Sequence, residues 1–302
     1  MKLIKPVPVT DDTLVSHSVA ENDHAVWSAG TTYNEGDKVI MTTGVHKVYE
    51  SVAGDNTGNN PSTSSGWWIE LAPTNRWAMF DQAVGTMTED QDEIETVIAL
   101  ADRDGFNAVA LLELYGLVAL IELIDQEENV LHSEERGLID YLDEAPSWYN
   151  YFFGDYSRVT SLVLLGLPFF YSARLRVTVT GVGDVAIGTL AFGQVVEVGE
   201  TLWEPEIGIT DYSTKEADEF GVRRVIKRRY ATVMSCDFKF DHRQLRRVFR
   251  LLADIRATPV VWIGSEDQLF DVTVIYGFYK GFNIVLKNSR HSYCNLEIEG
   301  LT

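Results

Sequence analysis

Carboxylates are the most numerous side chains in this sequence that could do chemistry. The chain of 302 residues has 45 aspartates and glutamates against 25 lysines and arginines, and dense acidic runs cover residues 89–95 and 102–105. Calcium takes about six to eight oxygen ligands, so either run could hold the ion, although neither has the spacing of an EF-hand loop. A solvated charge run or the start of a helix is the simpler interpretation, and we predict no metal site.

Short motifs that position reactive groups are absent from the sequence. It contains no Gly-x-Ser-x-Gly, no His-Glu-x-x-His and no Cys-x-x-Cys, and its six histidines are dispersed. A carboxylate pair that cleaves glycosidic bonds is defined by separation in space, which a sequence does not give. We therefore predict that the protein is not an enzyme and needs no cofactor, and we keep a polysaccharide-degrading enzyme as the weaker alternative.

The two cysteines, Cys236 and Cys294, each lie in an apolar, strand-like run. A free cysteine in such surroundings behaves as a small hydrophobic residue, so buried thiols are expected. A disulfide between them would require neighbouring strands, and the sequence leaves that open.

Glycines at positions 181, 183 and 188 have a spacing that a phosphate-binding loop could use. No Lys-Ser or Lys-Thr follows them and no helix is predicted to begin there, which disfavours such a loop. We predict a hairpin turn between strands at 173–180 and 185–192.

A cationic run covers residues 223–229 and contains Arg223, Arg224, Arg228 and Arg229. The formal net charge is -20, with about -5 in residues 1–74, about -16 in 75–155 and about +1 in the rest. Such an acidic chain repels phosphate backbones, so we predict no nucleic-acid partner. Surface ion pairs, or a contact with the acidic region of the same or a neighbouring subunit, fit the asymmetry at these arginines.

An apolar segment at 106–124 raises the question of a membrane span. It contains Glu113, Gly116 and Glu122, and ionised carboxylates are costly in a bilayer whose spanning helices need about 20 mostly apolar residues. We predict two strands here and no membrane span. The first residues lack the apolar core of a signal peptide, so synthesis in the cytoplasm is expected.

The elements that must position these groups are mostly strands. Residues 75–212 alternate short β-like pieces, including 108–114, 117–125 and 160–165, without a long helix between them, which predicts a β-sandwich of jelly-roll type. In residues 213–302 one helix is predicted at 241–256, because its apolar residues recur at helical spacing while Arg243, Arg246, Arg247 and Arg250 fall on the wet side. Asp241 is its predicted N-cap, and strands around it predict an α+β domain.

A small β-domain is predicted at residues 25–74, after an N-terminal arm at 1–24. In order it contains Trp27, Thr32-Tyr33, Gly36-Asp37-Lys38-Val39, His46-Lys47-Val48-Tyr49-Glu50 and Trp67-Trp68-Ile69-Glu70-Leu71. This pattern resembles the chitinase-type carbohydrate-binding modules of families 5 and 12. The resemblance implies an aromatic core of Trp27, Tyr33 and Tyr49, and a tight turn at Gly36-Asp37.

Sugar-binding members of that family stack exposed aromatic rings on pyranose faces. Here the corresponding place holds Val52-Ala53-Gly54-Asp55 without an aromatic pair. Adjacent strand residues point to opposite faces, so one of Trp67 and Trp68 could still be exposed. Trp67, Trp68 and Asp55 are the candidate glycan contacts, and a structural or partner-docking role for the module is the alternative.

The rest of the chain resembles tail-region proteins of bacteriophages. The stretches that carry this likeness include Asn75-Arg76-Trp77-Ala78-Met79-Phe80-Asp81, Ile209-Thr210-Asp211-Tyr212-Ser213 and Tyr293-Cys294-Asn295-Leu296-Glu297-Ile298. The resemblance implies a virion component of the baseplate, collar or fibre-attachment region, with other tail proteins as partners. A homo-oligomeric ring and contact with host-surface polysaccharide are expected, and a receptor-binding protein dedicated to host glycan is the alternative.

Overall fold

Antiparallel strands account for most of the chain, and the predicted mainly β fold is confirmed. The computed structural model describes residues 1–81, 85–100, 106–141, 156–217, 223–265, 272–287 and 290–301. Among these residues no helix is long and apolar enough to cross a membrane. The apolar segment at 106–124 forms two strands, as predicted.

The chain divides into two compact units. Val7–Asp81 and Gly85–Leu190 form one, and Met1–Pro6 and Ala191–Thr302 belong to the other. The first, called the acidic unit below, has 29 acidic and 8 basic residues, whereas the second, called the helix-bearing unit, has 16 and 17. The charge asymmetry of the sequence therefore follows the division into units.

In the acidic unit the strands are short before residue 74 and longer after it. They are β2 (Leu14–His17), β3 (Thr32–Tyr33), β4 (Lys38–Met41), β5 (Lys47–Ser51), β6 (Asn56–Thr57), β7 (Trp68–Pro73), β8 (Thr88–Ala99), β9 (Ala108–Tyr115), β10 (Val118–Ile124), β11 (Val130–Gly137), β12 (Ile139–Tyr141), β13 (Tyr156–Arg158), β14 (Ser161–Leu165) and the first part of β15 (Arg174–Glu197). A 3-10 helix, Asn75–Phe80, follows β7.

The module at 25–74 is built around aromatic side chains, as its resemblance implies. Tyr33, Val39, Tyr49 and Trp68 form its buried cluster, and Trp27 packs against it. The ring of Tyr33 meets that of Trp68 edge-on, with centroids 5.2 Å apart. Gly36 has φ 87° in the turn before β4, a backbone conformation that glycine adopts without a steric cost.

A polar cluster fixes this module to neighbouring parts of the acidic unit. His46 lies between two carboxylates: its Nδ1 is 2.9 Å from Glu21 Oε1, and its Nε2 contacts Asp11. Its ring stacks on Trp77 of the 3-10 helix with centroids 3.9 Å apart. The hydroxyl of Thr74 donates to Glu21 as well.

The predicted hairpin turn at residues 181–188 is wrong. Residues 174–197 form one continuous strand, β15, which pairs with β8 on one side and with β10 on the other. Its register with β8 shifts between Thr180 and Asp184, and the Gly183 N–H donates to Asp92 Oδ1 at 2.9 Å. The glycines therefore make a bulge: a Cβ on Gly181 would crowd Val185, and Gly183 has φ 82°. The acidic run at 89–95 lies within β8 and is not the start of a helix.

In the helix-bearing unit, strands precede and follow one α-helix along the described chain. They are β1 (Lys2–Pro6), the end of β15, β16 (Glu200–Thr201), β17 (Glu206–Asp211), β18 (Thr214–Ala217), β19 (Arg223–Ile226), β20 (Tyr230–Asp241), β21 (Val260–Ile263), β22 (Val274–Val285) and β23 (His291–Gly300), with α1 (Leu245–Asp254) after the 3-10 turn His242–Gln244. The sheet order is β15, β1, β21, β22, β23, β20 and then β16.

The predicted helix packs on the core as expected. Val248, Leu252 and Ile255 are buried against sheet residues such as Phe238 and Trp262. The Asp241 side chain accepts a hydrogen bond from the Arg243 N–H at 2.8 Å, which caps the turn that leads into α1. Phe249 falls at the helical spacing of the apolar residues, but it is exposed and touches Phe282 edge-on.

The first six residues are a strand inside the sheet of this unit. Leu3 and Ile4 are fully buried, and β1 pairs with the end of β15 on one side and with β21 on the other. Residues 1–24 were predicted to be an arm, and their polar composition gave no sign of this strand.

Candidate glycan-binding and assembly surfaces

Trp67 and Trp68 point to opposite sides of the module. Trp68 is 2 % exposed, and its indole N–H donates to the Asn59 carbonyl at 2.9 Å. Its ring therefore offers no face to a sugar, and the prediction of a glycan contact at Trp68 is wrong. Trp67 is 38 % exposed and is the remaining candidate platform.

Trp67 lies directly before β7 and is followed by exposed apolar residues on that strand. Ile69 and Leu71 are both exposed, but the register of β7 with β5 shifts between Glu70 and Ala72, which places Leu71 at a bulge. Trp67 is the only exposed aromatic residue of the module, all of which the structure describes. A single ring of this kind can stack on one pyranose face.

Asp55 lies at the same end of the module as Trp67. Its backbone has φ 56°, and its side chain is exposed. The side-chain amide of the next residue, Asn56, donates to Ser51 at 2.9 Å and approaches the Trp67 carbonyl at 3.4 Å. Asn56 thus links the loop that carries Asp55 to the backbone of Trp67.

A long hairpin projects an apolar face past the core of the helix-bearing unit. We use this name, the long hairpin, for residues 206–217 and 223–230. Ile207 lies opposite Met234, and Ile209 lies opposite Thr232. Opposed residues of antiparallel strands share a face, so both isoleucines lie on the face of the buried Met234. Nevertheless Ile209 is 64 % exposed and Tyr230 57 % exposed.

Cationic residues lie next to this apolar face. Lys227, Arg228 and Arg229 are exposed between β19 and β20, together with Val225 and Ile226 at the end of β19. Arg223 and Arg224 lie in β19, at positions paired with Ala217 and Glu216 of β18. The predicted inter-subunit residues are thus gathered on one hairpin.

Hydrogen bonds order the turn that follows β17. The Asp211 carboxylate accepts from the Ser213 N–H and from Lys215 Nζ, both at 2.9 Å. The Ser213 hydroxyl is the largest cause, followed by Lys215 and then the Ser213 N–H, and together they hold the pKa of Asp211 well below its usual range. The Arg228 N–H donates to Ser213 Oγ across the hairpin at 3.0 Å.

His17 is a buried titratable group in the acidic unit. Its Nδ1 accepts from the Val19 N–H at 3.0 Å, while its Nε2 has no partner among the described residues. Burial, and to a lesser extent the nearby Arg76, lower the pKa of His17 from 6.5 to about 4. The imidazole is therefore neutral in the folded protein near pH 7.

Neither a metal centre nor a known relative adds to these surfaces. No group of three or more histidine, cysteine or carboxylate side chains in the described ranges could hold a metal ion, and Asp102 and Asp104 lie outside them. Comparison with protein-family models, curated proteins and solved structures gives no match. The two surfaces therefore rest on the residues of this chain.

The sequence prediction missed the apolar part of the long hairpin. Ile207 and Ile209 alternate with Glu206, Gly208 and Thr210, and this period of two predicts one buried face. What the pattern does not show is that the core ends beside Ile207, leaving that face uncovered.

Replacing Trp68 should destabilise the acidic unit far more than replacing Trp67. Trp68→Ala removes a buried ring and should cost about 3–5 kcal/mol of unfolding free energy, whereas Trp67→Ala should change it by less than about 1 kcal/mol. Urea titration of both variants would measure this. Equal losses would mean that the two rings do not lie in different environments.

The acidic unit should lose stability as the pH falls through the range set by His17. Because its folded pKa is about 4 and the unfolded value is about 6.5, the unfolded state binds more protons between these values. The contribution of His17 to the unfolding free energy is therefore complete above about pH 6.5 and declines by about 1–3 kcal/mol towards pH 4. His17→Asn keeps an acceptor for Val19 and should reduce this decline in urea titrations.

His24→Gln is the matched control for the His17 experiment, since His24 is exposed. Carboxylates in general also titrate at acidic pH. The test is therefore the difference between variant and parent in the pH dependence of the unfolding free energy. An unchanged pH dependence in His17→Asn would contradict the assignment.

Proposed function

We propose that the protein is a structural component of a bacteriophage tail, in the baseplate, collar or fibre-attachment region, which assembles by protein–protein contacts and without catalysis. The observation that carries the assembly role is the long hairpin. It continues the apolar face of a sheet beyond the core and places exposed cations beside it.

An uncovered face of this kind favours association. Full burial of one large apolar side chain contributes about 1.5–3 kcal/mol, and Ile207, Ile209 and Tyr230 are all exposed. Rows of exposed apolar side chains beside charged residues are typical of protein–protein contact sites. Exposed cations set which partner binds and how fast, more than how tightly.

The location in a tail rests on the sequence resemblance described above. A ring forms when such a surface meets a different surface of the next copy and this contact repeats around an axis. The protein would be made in the host cytoplasm and incorporated into the virion with other tail proteins.

Cryo-electron microscopy of intact particles tests this proposal. We expect density for the chain in the tail in ordered copies, with the long hairpin in contact with a neighbouring chain. Antibody labelling of purified particles is the independent control. Purified particles that lack the chain would refute the tail assignment.

Glycan recognition is the second candidate function. It is supported by the exposure of Trp67 directly before β7 and of Ile69 and Leu71 within β7, with Asp55 on the loop that Asn56 links to the Trp67 backbone. An aromatic ring on an apolar strip can pack on the C–H face of a pyranose while a carboxylate accepts hydrogen bonds from its hydroxyls. One ring gives weak binding, which repeated copies in an assembly would raise.

Trp67→Ala should abolish retention of the protein on host cell-wall polysaccharide if this second function is real. Pull-down on purified host polysaccharide, with soluble sugar as competitor, measures it. Trp203→Ala, which removes an exposed tryptophan outside the module, is the matched control. Retention that survives Trp67→Ala would exclude Trp67 as the contact.

A further inference from the structure

A second uncovered strand lies in the acidic unit. The strand β11 pairs with β10 along one side, and within the described residues no strand pairs with its other side. Val130 is 50 % exposed and Leu131 is also exposed. Free strand edges are sites at which another chain can add.

The surroundings of β11 are acidic. Glu127, Glu128 and Glu135 are exposed and form no ion pair in the described part of the chain. Glu134, by contrast, is paired with Arg136 at 2.9 Å. Two exposed aliphatic residues therefore lie beside carboxylates that have no cation of their own.

The long hairpin has an excess of cations, with six basic and three acidic residues in its described part. Its isoleucines are exposed, and Lys227 and Arg228 beside them form no ion pair with any described carboxylate. Apolar residues would thus meet apolar residues, and cations would meet carboxylates. A contact between two hairpins would juxtapose cations, and a contact between two β11 edges would juxtapose carboxylates, both of which are unfavourable.

We propose that the long hairpin of one copy docks on the β11 edge of a second copy. This inference rests on the proposed function, since it names the two surfaces through which that assembly forms. The contact is heterologous: each copy offers one hairpin and one edge, so repetition closes a ring or extends a filament. Because exposed charges contribute, association should weaken as ionic strength rises.

Charge reversal with mixing tests the proposal on the full-length protein. One variant carries Lys227→Glu with Arg228→Glu, and the other carries Glu127→Lys with Glu135→Lys. Each alone should self-associate at least about tenfold more weakly than the parent in sedimentation velocity experiments. An equimolar mixture should regain association, because each copy then finds an oppositely charged surface on its neighbour.

Arg246→Glu with Arg250→Glu is the matched control, since it makes the same charge change on exposed positions of α1. It should associate as the parent does. Circular dichroism of every variant establishes that it folds.

Three results would overturn the docking: a parent chain that stays monomeric at its highest soluble concentration, reversed variants that associate unchanged, or a mixture that does not recover. If the parent chain self-associates and the reversed variants do so equally well, the assembly role is retained but a different interface must form it. The particle experiment judges the tail assignment separately, so the two failures are distinguishable.

Discussion

Antiparallel strand register determines which residues are buried in this chain. A residue and its cross-strand partner share a face, and a slip of one position would exchange the core face for the wet face. In the helix-bearing unit Cys236 lies opposite Leu296 and Phe238 lies opposite Cys294, all four being buried. Both thiols are free, and burial raises their pKa values to about 11 and about 12, so they remain protonated and serve as core side chains.

Where paired strands extend beyond the buried core, their apolar faces are left exposed. Along β20 the residues on the core side are buried from Met234 to Phe240, whereas Tyr230 on that side is exposed. The strand β11 pairs with β10 on one side only among the described strands, and its aliphatic residues Val130 and Leu131 are exposed. Proteins that are built to remain single chains protect such places with charges or covering elements. Here the charges that flank them have opposite signs, which favours a partner over protection.

The spacing of apolar residues and the composition predicted most of the helices and strands, but not which strands pair with one another. The helix at α1 could be predicted because its apolar spacing and its Asp241 cap are local. The glycine run at 181–188 fits a turn and a bulge equally well, and only pairing with β8 distinguishes them. Leu3 and Ile4 are too short an apolar run to mark a buried strand. Of the candidate site, the exposure of one tryptophan was predictable from alternation, but not which one.

Charge separation between the units would give the proposed assembly a preferred pairing of surfaces. The acidic unit has 29 acidic and 8 basic residues, so two such units repel one another at low ionic strength. In the proposed assembly a subunit with this surface would associate through a place where its neighbour is cationic and apolar at once, because charge pairs at an exposed rim contribute little by themselves. The long hairpin meets both conditions. Trp67 offers a single ring with no neighbouring cation run, and it would gain useful affinity for a glycan only if the proposed assembly repeated it.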